Sequence, residues 1–338
     1  MLIRGDARAL PLKDETVQVC VTSPPYFAQR DYGIAGQIGL ERTVEGYVSV
    51  MVEVLREIRR VLKSDGVLFL NLGDCHYSSD RGGWRGDAHR WEKSELQRHN
   101  RGNASTVRPN RMPQDGLKDK DLIGIPWRVA LAAQGDGWWL RSDIIWSKTA
   151  CMPESITDRP TRSHEYIFLL TKSALYFYNA DAIREPHTYG QGGDHHRNVD
   201  LSGIWQPPGQ LSPHNGLRKP RVKTSGPGPH LGGRRQAPEP GEEHAFHPLG
   251  RNKRSVWTIN PQPFPGKHFA TFPEEIPRLC ILAGSRPGDV VLDPFGGSGT
   301  TAKVALELGR KAVHVDLTYH DLAKKRTSVT PAMAELML

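Results

Sequence analysis

The chain has 338 residues, 37% of them hydrophobic, and its 45 Lys and Arg exceed its 37 Asp and Glu. Such a chain can bury a sizeable core, as one large domain or two smaller ones, and it is long enough for an enzyme. The four cysteines include no CxxC pair, which argues against a zinc site or a disulfide framework, and no apolar run approaches the roughly 18 residues of a membrane span.

The net charge of +8 has two explanations that composition leaves open. One is a polyanionic partner, and the other is a solvated basic surface. The amino-terminal sequence MLIRGDARALPLKD has no apolar region of the signal-peptide type. A soluble, cytoplasmic protein is therefore expected.

Apolar runs of strand length recur along the chain and predict buried strands. In chain order they are VQVCVT (17–22), VLFLNL (67–72), SDIIWS (142–147), EYIFLLT (165–171), ALYFYN (174–179), DVVLD (289–293) and KAVHVD (311–316). The short link between the fourth and fifth runs predicts a hairpin, which makes one strand antiparallel. Helical patterns alternate with the runs, so we predict an α/β fold with a doubly wound, mostly parallel sheet of seven strands.

The longest helical pattern, TVEGYVSVMVEVLREIRRVLKSDG, has Thr43 as its predicted N-cap and Gly66 as its predicted stop. Its apolar stripe consists of Tyr47, Met51, Leu55, Ile58 and Leu62. The patterns IPWRVALAAQ, FPEEIPRLCILAG and TTAKVALELG predict three further helices.

Two stretches, 78–120 and 186–253, are rich in Gly, Pro, His and Arg and poor in apolar residues, which indicates insertions rather than core. Surface loops without a function are one interpretation. Clustered arginines with interleaved tryptophans favour a nucleic-acid face instead, and these tryptophans are Trp84, Trp91 and Trp205. His195 and His196 are interpreted as loop residues, and no metal site is predicted.

The segment DPFGGSGTT (293–301) follows a predicted strand and opens a predicted helix. Its glycines let the backbone approach a ligand, and the helix N-terminus offers unpaired N–H groups. Asp316 ends the next strand, where a carboxylate would meet ribose hydroxyls. No lysine follows the glycines, which excludes a phosphate-gripping P-loop. The pattern indicates a nucleoside or nucleotide site, and a tight connection without a ligand is the alternative.

The segment VTSPPYFAQRDYG (21–33) stiffens the chain directly after a predicted strand, because proline fixes φ near −65°. Alone, it is typical of an extended proline turn or a polyproline ligand. TSPPY together with DPFGGSGTT resembles the S-adenosylmethionine-dependent DNA amino-methyltransferases, in the segment order of their permuted β group. GDARALPLKDETVQVCVTSPPY is similar to the family's opening, DIIWSK to its substrate-pocket strand, and 268–284 to the segment that closes over the methionine end of the cofactor. Two positions depart from the family, since GGSG replaces the more usual AGSG and Asp316 replaces the more usual Glu.

The resemblance implies methyl transfer from S-adenosylmethionine to an exocyclic amine of a nucleotide flipped out of duplex DNA. Ser23 Oγ and the Pro24 carbonyl would accept the amine N–H groups, Pro25 would stiffen the loop, and Tyr26 would stack on the base. The implied cofactor residues are Asp6, Phe269, Thr271, Phe272, Asp293, Phe295, Gly297, Ser298, Gly299, Thr300 and Asp316. The implied DNA contacts are Arg30, Trp146 and Lys148. A surface pair with Asp31 is the alternative for Arg30, and a place in the core is the alternative for Trp146.

The same resemblance implies a division of the chain. Segments 1–77 and 121–185 form the catalytic half of the core, 254–326 form the cofactor-binding half, and 327–338 are a tail. The insertion 78–120 contacts DNA, and 186–253 recognises the target. Duplex DNA is the expected partner, and a homodimer and a cognate restriction endonuclease are further candidates.

Rival activities differ in the residues they need. Methylation of cytosine C5 requires a nucleophilic cysteine, typically after a proline, and none of the four cysteines has that neighbour. Between N4 of cytosine and N6 of adenine, the serine in SPPY favours cytosine, because adenine-directed members more often carry Asp there. A nicotinamide oxidoreductase would use the glycine turn but leave TSPPY unexplained, and a non-catalytic DNA-binding protein could share the fold.

Overall fold

The computed structural model describes residues 1–34, 36–78, 109–111, 114–151, 153–187, 247–261, 272–318 and 320–327. The chain divides into two units, one formed by Met1–Arg184 with Asn252–Leu338 and the other by Glu185–Arg251. Within the second unit, Glu185 and Arg251 form an antiparallel bridge and a side-chain ion pair of 3.2 Å. Most of the two predicted insertions lies outside the described residues.

A sheet in which eight strands are described forms the centre of the first unit. The strands are β1 (Leu2–Arg4), β2 (Val17–Thr22), β3 (Leu62–Leu72), β4 (Trp139–Ser147), β5 (His164–Thr171), β6 (Val256–Thr258), β7 (Val290–Asp293) and β8 (Lys311–Asp316). Their order is β1-β8-β7-β2-β3-β5-β4-β6, and β5 runs antiparallel to both of its neighbours while the other described pairings are parallel. The predicted α/β class and mostly parallel sheet are confirmed.

Helices cover both faces of this sheet. The described helices are α1 (Val44–Val61), α2 (Ile125–Gly135), α3 (Glu275–Gly284), α4 (Thr300–Glu307) and α5 (His320–Thr327). Residues of α1 and α2 share one core cluster with Cys20 and Leu68, whereas residues of α3 and α4 share a second cluster with Val19 and Val67. Adjacent residues of β2 and of β3 enter different clusters because strand side chains alternate between faces. The sheet is therefore doubly wound, as predicted.

Helix α1 begins at its predicted N-cap, where Thr43 Oγ1 accepts from the Gly46 N–H, and its predicted apolar stripe is buried. The predicted stop at Gly66 is wrong. The helix ends at Val61, because Leu62 is already extended and pairs with Val17 of β2. Strand β3 thus takes the five residues that the pattern assigned to the end of the helix.

The count of seven strands and the predicted hairpin are also wrong. Residues 174–179 (ALYFYN) form no strand: the Phe177 N–H donates to the Asp65 carbonyl, the Asn179 N–H donates to the Ala283 carbonyl, and Leu175 is 86% exposed. The antiparallel strand is β5, which pairs with β3 and β4 instead. Strands β1 and β6 have three residues each, too few to produce a periodic signal.

One edge of the sheet collects the two sequence motifs. Strands β2 and β7 are neighbours, with Cys20 paired to Leu292, so TSPPY and the glycine turn leave the sheet side by side. Because β5 runs the opposite way, its first residues lie at this same edge, where Tyr166 pairs with Leu72 and Glu165 pairs with Trp146.

No helix in the described part of the chain is long and apolar enough to cross a membrane. The four cysteines are free thiols, of which Cys20 and Cys280 are buried and Cys75 and Cys151 are half-buried.

Candidate active site

The TSPPY segment is anchored to two neighbouring elements as it leaves β2. Thr22 is buried, and its Oγ1 donates to Asp293 Oδ1 of β7 at 2.7 Å. Tyr47 of α1 donates its hydroxyl to the Pro25 carbonyl at 2.9 Å. With φ fixed at both prolines, these contacts hold the intervening Ser23 and Pro24 in one position at the edge of the sheet.

A polar cluster surrounds Ser23, which we call the Ser23 cluster; it contains Ser23, Tyr26, Asn71, Lys148 and Glu165. Ser23 Oγ donates to Tyr26 Oη at 3.2 Å, and Tyr26 Oη donates to Glu165 Oε2 at 2.6 Å. Asn71 Nδ2 lies 2.8 Å from Tyr26 Oη, 3.1 Å from Glu165 Oε2 and 3.3 Å from Ser23 Oγ. Lys148 Nζ donates to Glu165 Oε1. The loop after β2, the end of β3, the residue after β4 and the start of β5 therefore meet at one point.

Tyr26 is held in this cluster as a neutral phenol. Burial raises its pKa well above the ordinary value, and the negative charge of Glu165 raises it further. Its ring packs on Gly73, where an added Cβ would lie 2.5 Å from a ring carbon. The expected stacking of Tyr26 on a base stays a prediction, and the ring that would stack is fixed at its hydroxyl end.

The glycine turn after β7 packs closely against β8. An added Cβ at Gly296 would lie 2.0 Å from His314 Nδ1, so a larger residue does not fit without a shift. Gly297 and Gly299 have φ of 48° and 82°, a region that favours glycine. The Gly297 N–H donates to Asp316 Oδ2 at 2.9 Å. The structure therefore brings Asp316 to the turn, as its position at the end of the next strand predicts.

Asp293 joins the glycine turn to TSPPY. Its Oδ1 accepts from Thr22 and from the Phe295 N–H at 3.1 Å, and its Oδ2 accepts from Thr301 Oγ1 at 2.7 Å. Burial raises the pKa of this carboxyl to about 6, although the hydrogen bonds oppose the shift. Asp293 is 3% exposed, and its hydrogen bonds connect the two motifs inside the protein.

The start of α4 is fixed from α5. Arg326 Nη1 donates to Ser298 Oγ at 2.8 Å and to Thr300 Oγ1 at 3.1 Å, and both residues are buried. Phe295 is half-buried on the same turn.

The remaining predicted cofactor residues lie at the margins of this edge. Asp6 follows β1, and its carboxylate accepts from Arg8 Nη2 at 2.6 Å, which lowers its pKa. Phe272 packs against the core cluster of α3 and α4. Phe269 and Thr271 lie outside the described residues.

The three predicted DNA contacts have different surroundings. Trp146 is 4% exposed and donates its ring N–H to the Ile259 carbonyl at 2.7 Å, which favours the alternative of a core position. Lys148 joins the Ser23 cluster, with its Nζ 4.0 Å from the centroid of the Trp146 ring. Arg30 is half-buried in the loop after TSPPY, where its carbonyl accepts from Gln37 Nε2 at 2.9 Å.

Sequence reasoning missed Asn71 and Glu165 in the cluster and Thr301 and Arg326 beside the glycine turn. A signal was present for Asn71, because it is a polar residue inside the apolar run VLFLNL and it is 4% exposed. Glu165 is the first residue of an apolar run. Its position next to Ser23 depends on the direction of β5, which no local pattern indicated.

The glycine turn fits a nucleoside-bearing cofactor such as S-adenosylmethionine. The positive φ of Gly297 and Gly299 lets the turn pass the end of β8, where the Asp316 carboxylate lies. A carboxylate can accept up to about four hydrogen bonds, and in dinucleotide sites such a group accepts from ribose hydroxyls.

Comparison with known proteins agrees with these features. The N6/N4 methyltransferase family, described as DNA methylase, matches residues 17–325. The Type II methyltransferase M.SmaI of Serratia marcescens is 42% identical over 329 residues, which cover 96% of this chain and 89% of that protein. The Type II methyltransferase M.Cfr9I of Citrobacter freundii is 41% identical and covers 96% of this chain and 86% of its own length.

Solved structures of other proteins share the fold, including the following two. The PvuII DNA methyltransferase (cytosine-N4-specific) has a TM-score of 0.57 at 15% identity and covers 99% of this chain and 90% of its own. A putative DNA modification methylase from Thermus thermophilus, solved with S-adenosyl-L-methionine, has a TM-score of 0.51 at 22% identity, with coverage of 99% and 93%. At these identities the likeness concerns the fold alone.

Proposed function

Since this chain belongs to the N6/N4 family of DNA methylases, we propose that it methylates the exocyclic N4 of cytosine in duplex DNA as a Type II enzyme of the permuted β group. It is a DNA methyltransferase, and its cofactor is S-adenosylmethionine. The observation that carries the choice of cytosine is a neutral hydroxyl, Ser23, at the head of a hydrogen-bonded cluster. Adenine N6 is the competing target, for which an aspartate at this position would be more typical.

The cofactor-binding residues that we propose surround the glycine turn. Gly297 and Gly299 offer backbone, Asp316 accepts from the ribose, and Asp6 accepts from the adenine amine. Phe295, Ser298, Thr300 and the half-buried Phe272 shape the site around them, and Asp293 holds the turn in place. When bound, S-adenosylmethionine supplies an electrophilic methyl group on a sulfonium.

Ser23 and Pro24 prepare the amine. Its lone pair is delocalised into the base ring, so the free amine is a poor nucleophile. Hydrogen bonds from its two N–H groups to Ser23 Oγ and to the Pro24 carbonyl favour the tetrahedral nitrogen that attacks in line. Ser23 can accept such a bond because its own proton is donated to Tyr26. The anchoring of Pro25 by Tyr47 keeps both acceptors aimed at one point.

The target cytosine has to leave the duplex to reach this edge, at a cost of a few kcal/mol. We assign recognition of the duplex to the insertions 78–120 and 186–253, with Arg30 and Lys148 as contacts closer to the base. On this assignment 1–77 and 121–185 remain the catalytic half and 254–326 the cofactor half. A cognate restriction endonuclease follows from the proposed Type II class.

The test is to identify the modified base. Duplex DNA is incubated with the protein and S-adenosylmethionine carrying a labelled methyl group, then digested to nucleosides and separated by mass. We expect label in N4-methylcytosine. Label in N6-methyladenine would replace the proposed base, and unlabelled DNA after incubation with many different duplex sequences would overturn the proposed function.

A further inference from the structure

An amine nitrogen becomes positively charged as it attacks a methyl group, and it then carries one proton too many. The Ser23 cluster contains a route for that proton. On the proposed function, we propose that Glu165 receives this proton while the methyl group is being transferred, through the hydroxyl groups of Ser23 and Tyr26.

The two hydrogen bonds of the route point the same way. Ser23 Oγ donates to Tyr26 Oη at 3.2 Å, and Tyr26 Oη donates to Glu165 Oε2 at 2.6 Å. When Ser23 Oγ takes the proton from nitrogen, it releases its own proton to Tyr26, and Tyr26 releases its own to Glu165. The electron pair of the broken N–H bond stays on nitrogen and cancels its charge. Each hydroxyl gains one proton and loses one, so both remain neutral, and Glu165 becomes a neutral acid.

The members of the cluster suit these roles. Neither hydroxyl can hold a negative charge near neutral pH: burial raises the pKa of Tyr26 well above its ordinary value, and serine is less acidic still. The carboxylate of a glutamate is an acceptor and can take the proton. The side chain of Glu165 is 17% exposed, so the proton can pass on to water before the next cycle.

Among the described residues, the groups that face Glu165 come from three parts of the chain. They are Tyr26 from the loop after β2, Asn71 from β3 and Lys148 directly after β4. Each directs a donor at the carboxylate and so fixes Oε2 against Tyr26. A release of the proton from Ser23 directly to water would need none of these contacts.

The experiment compares Glu165→Gln and Tyr26→Phe with the unchanged protein in single-turnover methyl transfer on cognate DNA, in light and in heavy water. Glutamine keeps the size and the acceptor of the Tyr26 bond but takes up no proton, and phenylalanine keeps the ring but interrupts the route. We expect each variant to be slower by about 10²-fold, the lower end of general acid–base effects. We expect the unchanged protein to be slower in heavy water, because protons move along the route during transfer, and both variants to lose this solvent isotope effect. Calorimetry with S-adenosylmethionine should give dissociation constants for the two variants within about twofold of that of the unchanged protein.

Glu307→Gln is the matched control, because it makes the same change on α4, where the carboxylate pairs with Arg278 at 2.8 Å. It should keep the rate and the solvent isotope effect. Should Glu165→Gln fail to fold, Tyr26→Phe alone decides. Unaltered transfer and an unaltered solvent isotope effect in the folded variants would overturn the route. That outcome is distinguishable from failure of the proposed function, because the base methylated by the unchanged protein is identified in the same samples.

Discussion

In the proposed mechanism, the hydroxyl of Ser23 accepts one hydrogen bond and donates another at the same time. Its Oγ lies within hydrogen-bond distance of Tyr26 Oη and Asn71 Nδ2, and none of its described contacts reaches the glycine turn. We expect Ser23→Ala to slow single-turnover methyl transfer by about 10²- to 10³-fold, as loss of an oriented transition-state contact does. Cofactor affinity, measured by calorimetry, should stay nearly unchanged.

The control for this substitution is Ser142→Ala, which removes a hydroxyl that bonds the Asp143 carbonyl at 3.4 Å on β4. It should leave the rate as it was. A normal rate in Ser23→Ala would remove Ser23 from the mechanism and leave the Pro24 carbonyl as the main acceptor. An equal loss of cofactor binding would indicate a collapsed loop.

Asp293 makes stability depend on pH. Its pKa is raised by burial to about 6 in the folded chain, from 3.8. The folded state therefore binds this proton more tightly than the unfolded state, and the associated stability is present below about pH 4 and lost as pH rises through 6. Asp293→Asn removes the titration while keeping an oxygen for Thr22. Relative to the unchanged protein, the variant should gain about 2–3 kcal/mol in free energy of unfolding between pH 4 and pH 7.

Urea unfolding at several pH values measures this difference, and subtraction of the two curves cancels the other titrating groups. If the free energy of unfolding depends on pH in the same way in both proteins, the proposed role of Asp293 is wrong. Thr301→Val, which deletes the donor to Oδ2, should steepen the loss of stability above pH 6, because it leaves the ionised carboxylate with one hydrogen bond fewer.

Among the elements, β5 decides how much of the site the sequence can predict. TSPPY and the glycine turn each sit on a local strand-to-loop signal, so their meeting at one edge follows from the rule for parallel sheets. Glu165 lies at the start of its strand, and in a parallel strand it would lie at the opposite edge. Its position beside Ser23 depends on the antiparallel pairing of β5 with β3. The sequence pattern predicts a pairing of β5 with ALYFYN instead, because ALYFYN has the composition of a strand although it forms none.

The glycine turn packs closely against β8, and this contact depends on how the two elements lie against each other rather than on the turn's own sequence. Gly296→Ala would put a Cβ 2.0 Å from Nδ1 of the His314 ring, and the ring is completely buried. We expect a loss of about 1–3 kcal/mol in free energy of unfolding, the usual cost of overpacking, together with weaker cofactor binding.

Gly135→Ala provides the comparison, because an added Cβ there meets nothing within 4 Å and the residue is helical in α2. It should be neutral or slightly stabilising. Thermal unfolding in the presence and absence of S-adenosylmethionine measures both effects. A Gly296→Ala protein with unchanged stability and affinity would show that the turn tolerates a shift of His314.

At the scale of the whole molecule, the residues proposed for methyl transfer and those proposed for DNA recognition lie in different segments of the chain. The Ser23 cluster and the glycine turn belong entirely to the unit formed by Met1–Arg184 and Asn252–Leu338. The other unit begins and ends with residues that meet, since His187 Nε2 lies 2.9 Å from the His247 carbonyl oxygen and Glu185 bridges Arg251. Residues 190–245 can therefore be replaced by a short Gly/Ser linker without stretching the chain.

We expect this replacement to keep S-adenosylmethionine binding and to abolish site-specific methylation, because the proposed base contacts of the second insertion are gone. The removed segment carries seven of the 45 Lys and Arg of the chain, so binding to DNA should also become less sensitive to salt. A variant with 190–245 scrambled keeps those charges and separates the two effects: it should retain the salt-dependent affinity and still fail to select a site. Filter binding at several salt concentrations, with methylation mapped on the same DNA, measures both. Site-specific methylation by the shortened protein would transfer recognition from 186–253 to the first insertion.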